Sequence, residues 1–552
     1  MLTSNKQRFW SSHRTVRFSL PALICGLFLI VITFAANRHP YGTYTTETDF
    51  YQFYAPDAER LLNGQFPENT YNGPGYPLML AVLTKLTGEV FLSGKIISVV
   101  SATLVVLFTF LLFEKSFGFW IGIGAELLVA VGTAFPAFAI TTTTDIFFLM
   151  LCLATMWVFL LERLAGRWRI ILTAAIASFA YVTRYNGLFL LATVLAGVTL
   201  FNIFNNSWRE RLKNTAMFIG IFLVVAAPWL YANYRHHGSP FYNTNYLNIA
   251  TEFYPELANN SVYQEGTRGL SEKFHSFGEV LGYDPRRVLT HYPENLYEAM
   301  SKSINADLVH HWLGWAAILG FVIALIERRS KTVLLIVLSG VLYFLVVAFT
   351  HWEARYYFYV MVLYAGFAAY GVIRPFELLR ENRLLGKLFA QPAEAAVIEE
   401  RGQRPLLNGV MVLVSLILFC FIWYNAFTVS KKTLTAFLAS HPTEIPAASG
   451  FIKSEGVAHP RILARKPHLA FFTRGEWIFF PTVKSLDELK TWLSENQIDY
   501  LAFGIREAQA RPELKFLQDK SQAPAWLVPV WMDEARKFVL YKPQINDVSF
   551  EK

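Results

Sequence analysis

Eleven apolar segments, each near the length one helix needs to cross a hydrocarbon layer, dominate this sequence: roughly 18–36, 95–113, 119–139, 146–162, 168–183, 187–204, 215–233, 308–326, 332–350, 356–373 and 407–427. A bilayer core takes about 20 apolar residues per helix. Inside it, every backbone polar group must be satisfied within the segment itself. The chain is therefore expected to be an α-helical multispanning membrane protein of about eleven transmembrane helices. Composition agrees, with 54% of residues apolar and only 16% charged, against about 25% charged in an average soluble domain. Cys25, Cys152 and Cys420 each sit inside an apolar run and read as small fillers, not as disulfides or metal ligands.

The formal net charge of +8 does not point to nucleic acid, because the basic residues fall in short connections, where they set topology. Lys6, Arg8, Arg14 and Arg17 precede the first run without one acid, which places the N-terminus in the cytoplasm. The first run has no small-residue cleavage site behind it and is read as a retained helix. Alternation then puts Arg163, Arg167 and Arg169, Arg209, Arg211 and Lys213, Arg328, Arg329 and Lys331, and the basic residues from Arg374 to Arg404 inside. Three pieces face outward: the loops 37–94 and 234–306, and everything after about 428. These give the expected domains, a membrane part over 1–427 that includes both loops, and an extracytoplasmic domain over 428–552. A bacterial inner membrane suits such a tail domain.

Within the first outer loop, Tyr76 to Thr87 is apolar but too short to span, and is expected to be an interfacial helix. The C-terminal stretch has no run of membrane length. Arg461–Ala464, Leu469–Thr473, Trp477–Phe480, Tyr500–Gly504 and Phe538–Tyr541 read as strands and Leu486–Asn496 as a helix. Ser485 followed by Glu488 marks the helix start as a capping box. The expected fold is a small soluble α/β domain.

Candidates for chemistry lie at the outer borders of the apolar runs. Asp49, within Phe50, Tyr51, Phe53 and Tyr54, is a carboxylate that aromatic neighbours can keep partly dry and so make reactive. Asp145 ends a run of four threonines at a helix start, where it could cap the helix or serve a substrate. Arg184, with Tyr185 and Asn186, interrupts an apolar stretch too long for one crossing, and so marks a turn, as an anchor or as a site residue. His351, Glu353, Arg355 and Tyr356 join a guanidinium fork to aromatic faces, a combination suited to phosphate oxygens or to an interfacial anchor. Carboxylates and arginines on one face suit a reaction that needs a proton acceptor and a clamp on an anionic leaving group. A lipid-linked phosphosugar would supply that leaving group.

In these segments the chain resembles the GT-C superfamily of polyprenyl-phosphate-sugar-dependent glycosyltransferases, which includes protein O-mannosyltransferases, aminoarabinose transferases and rhizobial galacturonosyltransferase-like proteins. The resembling residues are Asp49 with Tyr54-Ala55, Leu61-Leu62-Asn63-Gly64, Gly73-Pro74-Gly75-Tyr76-Pro77-Leu78, Asp145, Thr183-Arg184-Tyr185-Asn186-Gly187 and Glu353-Ala354-Arg355-Tyr356, within about the first 375 residues. The resemblance implies that Asp49 is the catalytic base, that Asp145 is a second catalytic acid that orients the acceptor or supports that base, and that basic residues bind the lipid phosphate. Relatives often carry an Asp-Glu pair or a nearby Arg in the first loop, where this chain has Phe50 and Gln52, so Lys85 and Lys95 are candidates for the phosphate role beside Arg184 and Arg355.

The resulting expectation is an inverting transferase with a polyprenyl-phosphate-sugar donor, a glycan, lipid or protein acceptor, membrane lipids as surroundings and no nucleic-acid partner. No metal site is assigned, although two acids and His351 could hold a divalent ion. Two other readings stand beside it. A transporter or lipid flippase would place ionisable residues at the bilayer midplane and show internal repeats, and neither is apparent in the sequence. A noncatalytic assembly scaffold would tolerate replacement of Asp49 or Asp145.

Overall fold

The structure is a computed structural model that describes residues 2–258, 269–327, 330–380, 403–483 and 485–545, without the side chains of 2–17, 380 and 403–408. Arg328, Arg329, Arg383, Lys387 and Arg401, all expected on the inner face, lie outside the described residues, as does 259–268 of the second long loop. The chain divides into two compact units, one of residues 1–40, 69–245 and 284–439, the other of 41–68, 246–283 and 440–552. Each is described in turn.

The first unit is helical and apolar, as a multispanning membrane protein requires. Each of the eleven expected segments is built on a helix. Among the described residues, five stretches are long and apolar enough to cross a membrane: Phe18–Asn37, Val90–Phe117, Trp208–His237, Ala354–Leu379 and Gly409–Ser454. Others are shorter, such as Thr144–Leu160, His311–Ile326 and Lys331–Val347. The segment expected over 119–139 divides into Phe119–Ala130 and Phe135–Phe138. Gly132 turns between them and Pro136 sits in the first turn of the second, where a missing N–H costs least. The segment expected to reach 204 ends at Thr199, ahead of Asn202 and Asn205 at φ 46° and 52°. The apolar piece after Gly75 is a helix, Gly75–Thr87, closed by Gly88 in the left-handed region at φ 74°.

The centre of this unit is the helix Phe358–Arg380, in a stretch whose most apolar window is 83% buried, against 11% for that of Gly409–Ser454. It crosses His311–Ile326 with backbones in contact. A Cβ on Gly320 would strike the carbonyl of Phe367, and one on Gly371 that of Ala316. Close approach through small residues is how helices gain packing in lipid, where apolar side chains alone give no advantage over the tails. Glu126 departs from the expectation that span interiors lack ionisable groups. It is fully buried within Phe119–Ala130, and its Oε1 accepts from the Cys25 thiol at 3.3 Å.

The second unit is built on a five-stranded mixed sheet in the order β2-β1-β3-β5-β4. The strands are β1 (Arg461–Ala464), β2 (Glu476–Phe479), β3 (Tyr500–Phe503), β4 (Leu527–Asp533) and β5 (Phe538–Pro543). β1 runs parallel to β2 and β3, while β5 is antiparallel to β3 and β4. Alternation along β3 sends Leu501 and Phe503 into one core with Leu489, Leu493 and Leu517. Tyr500 and Ala502 enter the other with Ile445, Ala448 and Leu469. Both faces are covered, so the central strand reads as a continuous apolar run. The expected helix is present as Leu486–Glu495, with Ser485 Oγ accepting from the Glu488 N–H at 3.2 Å.

Two expectations for this domain are corrected. Leu469–Thr473 is not a strand but part of a helix, His468–Thr473. Its apolar residues face both the Ile445 core and the 41–68 segment, a two-sided burial that a short run cannot distinguish from a strand. β4 was not anticipated, because Pro529 and a register shift between Pro529 and Trp531 break its alternation.

The compact units also cut across the linear boundary at 428. The helix that begins at Gln403 continues to Ala439, and Tyr41–Glu68 and Tyr246–Tyr283, read as loops of the membrane part, pack with 440–552. Aromatic contacts account for the first: Tyr51 meets His468 at 4.5 Å and Phe471 at 4.8 Å between ring centroids.

Candidate functional site

The first unit gathers four of the predicted polar residues. Asp145 lies in the first turn of Thr144–Leu160, whose N-cap is Thr143; the capping role is thus not its own, though a carboxylate in a first turn gains from the helix dipole. Its side chain is 2% exposed, and Oδ1 is paired with a guanidinium N–H of Arg184. The same Nη1 donates to Thr144 Oγ1 at 3.0 Å. Oδ2 faces Nη1 of Arg355 at 3.7 Å and accepts no hydrogen bond among the described residues. One buried carboxylate therefore stands between two arginines.

Arg184 sits where the helix Gly166–Thr183 stops and a 3₁₀ turn, Tyr185–Gly187, begins, at the turn the sequence predicts. It does not snorkel outward. Its side chain is 16% exposed, and its guanidinium lies 5.3 Å from the Tyr356 ring centroid and 5.9 Å from that of Phe148. Packing explains the position. A Cβ on Gly73 would strike the carbonyl of Val182, and one on Gly75 the hydroxyl of Thr183, so the Gly73-Pro74-Gly75 loop rests directly on the helix end that delivers Arg184.

Arg355 arrives on a 3₁₀ turn, Ala354–Tyr357, ahead of the helix Phe358–Arg380. Its side chain is 14% exposed. Nε bonds Glu353, Nη2 lies 3.4 Å from the Tyr356 hydroxyl, and the guanidinium is 5.0 Å from that ring's centroid. Burial alone would raise the Glu353 carboxyl, but the hydrogen bond from His351, with Nε2 3.3 Å from Oε1, and the Arg355 charge outweigh it and hold it at about 2. Glu353 is thus a fixed anion that fastens Arg355. Asp145, Arg184, Arg355 and Tyr356 line a small pocket with Phe148, Tyr343 and Tyr359. Tyr343 donates to the Tyr356 carbonyl at 2.5 Å. Neither Tyr343 nor Tyr359 was singled out by sequence reasoning, since each lies in an apolar helix and reads as core.

The remaining candidates sit apart from this pocket's lining. Tyr185 accepts from the indole N–H of Trp229 at 3.2 Å and supports the turn. Lys85 is exposed on the last turn of Gly75–Thr87. Lys95 donates to the His39 carbonyl at 3.2 Å and lies 5.5 Å from the Phe91 ring centroid.

Asp49 belongs to the second unit, at the N-terminus of a π-helical turn, Phe50–Tyr54, a form that concentrates at functional sites. The aromatic setting is as expected, with Phe50, Tyr51 and Tyr54 buried. The other acids of this segment divide. Glu47, fully buried, accepts the Thr43 N–H at 2.8 Å, and Asp57, 3% exposed, accepts that of Glu68 at 2.8 Å. Both shape the backbone. Glu68 instead pairs with Arg60 on the surface at 2.8 Å. Lys466, from the turn after β1, donates to Thr48 Oγ1 at 3.1 Å, next to Asp49. Only its place in Arg465-Lys466 after a predicted strand could have flagged it. Among the described residues no group of three or more His, Cys, Asp or Glu is placed to hold a metal ion.

Residues 71–231 match the family model of dolichyl-phosphate-mannose-protein mannosyltransferases. No curated protein sequence matches the chain. Among solved structures, ArnT from Cupriavidus metallidurans bound to undecaprenyl phosphate is similar over 95% of this chain and 98% of its own, with 14% identity and a TM-score of 0.54. The Archaeoglobus fulgidus oligosaccharyltransferase in the apo form is similar over 89% of this chain and 70% of its own, with 11% identity and a TM-score of 0.57. Its AglB complex with an inhibitory peptide and a dolichol-phosphate covers 96% and 75%, with 12% identity and a TM-score of 0.54. The likeness of fold extends over nearly the whole chain: this protein has the fold of the GT-C membrane glycosyltransferases.

Proposed function

We propose that the protein transfers a sugar from a polyprenyl-phosphate carrier to a hydroxyl of a glycan, lipid or protein, with inversion at the anomeric carbon, at the outer face of a bacterial inner membrane. The observation that carries this reading is the buried Asp145 between Arg184 and Arg355, in a fold shared with a protein crystallised with undecaprenyl phosphate. Two planar guanidinium forks at low exposure are a strong match for phosphate oxygens and a poor choice for a purely structural role, because each buried charge must be compensated.

On the donor side, Arg184 and Arg355 hold the phosphate, Asp145 and Glu353 keep the forks oriented, and Tyr356 provides the face on which they stack. As the bond from the anomeric carbon to the phosphate oxygen breaks, the electron pair stays on the phosphate, and fixed positive charge favours that state. Lys85 and Lys95 remain candidates for a further phosphate contact. On the acceptor side, Asp49 is the base that takes the hydroxyl proton as the acceptor oxygen attacks. A single base and direct displacement invert the configuration. The N-terminus is cytoplasmic and the α/β domain extracytoplasmic in this reading.

The test is transfer of radiolabelled sugar from a mixed pool of membrane polyprenyl-phosphate sugars by wild type, Asp49→Asn and Arg355→Leu at matched expression. Label transferred by wild type alone supports the assignment and identifies the acceptor. Equal transfer by Asp49→Asn removes that residue as the base.

A further inference from the structure

The α/β domain touches the segment that carries Asp49 at both ends of one turn, entirely within the second unit. At its start, Nε2 of His468 bonds the Thr43 carbonyl at 3.0 Å. At its end, Lys466 donates to Thr48 Oγ1 at 3.1 Å, and that hydroxyl donates on to the Tyr44 carbonyl at 2.9 Å. Between them, Glu47 accepts the Thr43 N–H, and Tyr44 donates to Glu444 of the domain at 2.7 Å. The residues Arg465 to His468 leave the end of β1, one of the sheet's central strands, so this grip is as rigid as the sheet.

From this geometry we infer that Lys466 is a positioning residue for Asp49: it fixes the turn that presents the carboxylate and supplies the cation beside it, making the C-terminal domain a working part of the proposed reaction site. The inference rests on the glycosyltransferase reading only for the role of Asp49. The charged groups that act on Lys466 are Arg465, Arg506 and Glu507 from its own domain and Asp49 from the turn, while Lys466 and Glu47 both act on the neighbouring His468. Burial, then Arg465 and Arg506, lower its ammonium from the ordinary lysine range to about 8, against the opposing pull of Asp49. A cation that titrates there changes the basicity of its neighbour near physiological pH. While Lys466 is charged, Asp49 is a weaker base; once it is neutral, the carboxylate holds a proton more firmly.

Two measurements test this. In competitive acetylation of the detergent-solubilised full chain followed by mass spectrometry from pH 6 to 10, Lys466 should show a reactivity midpoint near pH 8, with exposed Lys520 as internal standard. Asp49→Asn removes the anion that opposes the lowering, so the Lys466 midpoint should move to lower pH while that of Lys520 stays in place. An unmoved Lys466 midpoint overturns the coupling, whether or not transfer is detectable. In the transfer assay, wild type should show a step in kcat near pH 8 that Lys466→Arg displaces to higher pH and Lys466→Met abolishes, with activity partly restored in the arginine variant. A wild-type profile in Lys466→Met also overturns it. Absence of transfer in every preparation counts against the glycosyltransferase reading and leaves the acetylation comparison to decide on Lys466.

Discussion

His468 should make the second unit acid-sensitive. It is 1% exposed, and its Nε2 lies 3.0 Å from a carbonyl, which can only accept, so Nε2 carries the proton. Among the described residues Nδ1 has no hydrogen-bond partner, so protonation would bury a charge and an unsatisfied N–H together. Burial accordingly lowers the imidazolium to about 3, with Lys466 adding to the effect and the Thr43 bond resisting it. A base whose folded value lies below its unfolded value of about 6.5 stabilises the fold fully above that value, and the contribution is lost as pH falls from about 6.5 toward 3. At pH 5 the loss is about 2 kcal/mol, or roughly 4 to 8 °C in melting temperature for a unit of this size. Lys466 adds no slope here, being protonated folded and unfolded below about pH 7. Glu507, raised by burial, pulls the other way as pH falls, equally in wild type and variant. The assay is melting in detergent at pH 7.5 and 5.0 for wild type and His468→Gln, whose amide still donates but does not titrate. The difference between the two slopes isolates His468. Equal slopes in the two proteins would refute the reasoning.

The donor pocket and its supports give further tests. Arg355→Lys keeps the charge but loses the fork, and should lower transfer at least tenfold, mainly through donor KM, as read from initial rates against donor concentration. Arg184→Leu leaves the buried Asp145 carboxylate without its closest partner and should cost about 3 to 5 kcal/mol of stability, measured by thermal melting. Asp49→Asn should cost about 10²- to 10⁴-fold in kcat with melting unchanged, the range expected for loss of a general base. Gly73→Ala forces the loop off the Val182 carbonyl and should lower both melting temperature and transfer, while Gly64→Ser, on open space at φ 71°, should lower stability slightly and leave transfer intact.

Much of the helical layout was legible because one physical requirement, satisfying the backbone in lipid, dominates composition over whole segments. The four border features were also legible: a charged residue amid apolar ones stands out, and Asp145, Arg184 and Arg355 do meet. What could not be read was the partnership. Thr143 rather than Asp145 holds the N-cap position, and Asp145 is paired with Arg184 instead, since a free side chain and a paired one look alike in one dimension. Glu126 escaped notice because one acid scarcely alters the hydropathy of its segment. The roles of Lys466 and of His468, which as a lone histidine reads as a solvated loop residue, escaped for a different reason: their meaning lies in a contact with residues more than four hundred positions away. The 41–68 segment was read as part of the membrane domain on proximity in sequence, but aromatic burial decides where a loop packs.

The charge balance of the donor pocket bears on how an anion would enter it. Two guanidinium groups at about 15% exposure would repel each other strongly if left bare, and burying them would cost several kcal/mol apiece. Asp145 and Glu353 offset that cost, yet they do so unequally. Asp145 is bonded directly to Arg184 but lies 3.7 Å from Arg355, too far for a hydrogen bond. Arg355 in turn depends on Glu353, at the N-cap of its own 3₁₀ turn, which His351 helps to hold. In the proposed reaction, a phosphate that inserts between the arginines would therefore compete with the long Asp145 contact before the close one. Arg355 is then the fork that exchanges carboxylate for phosphate, and Arg184 the one that stays with Asp145 and keeps the pocket's shape. This division predicts opposite signatures for the two arginines, affinity for Arg355 and stability for Arg184. A pocket in which both variants lose stability equally and bind donor normally would be structural only.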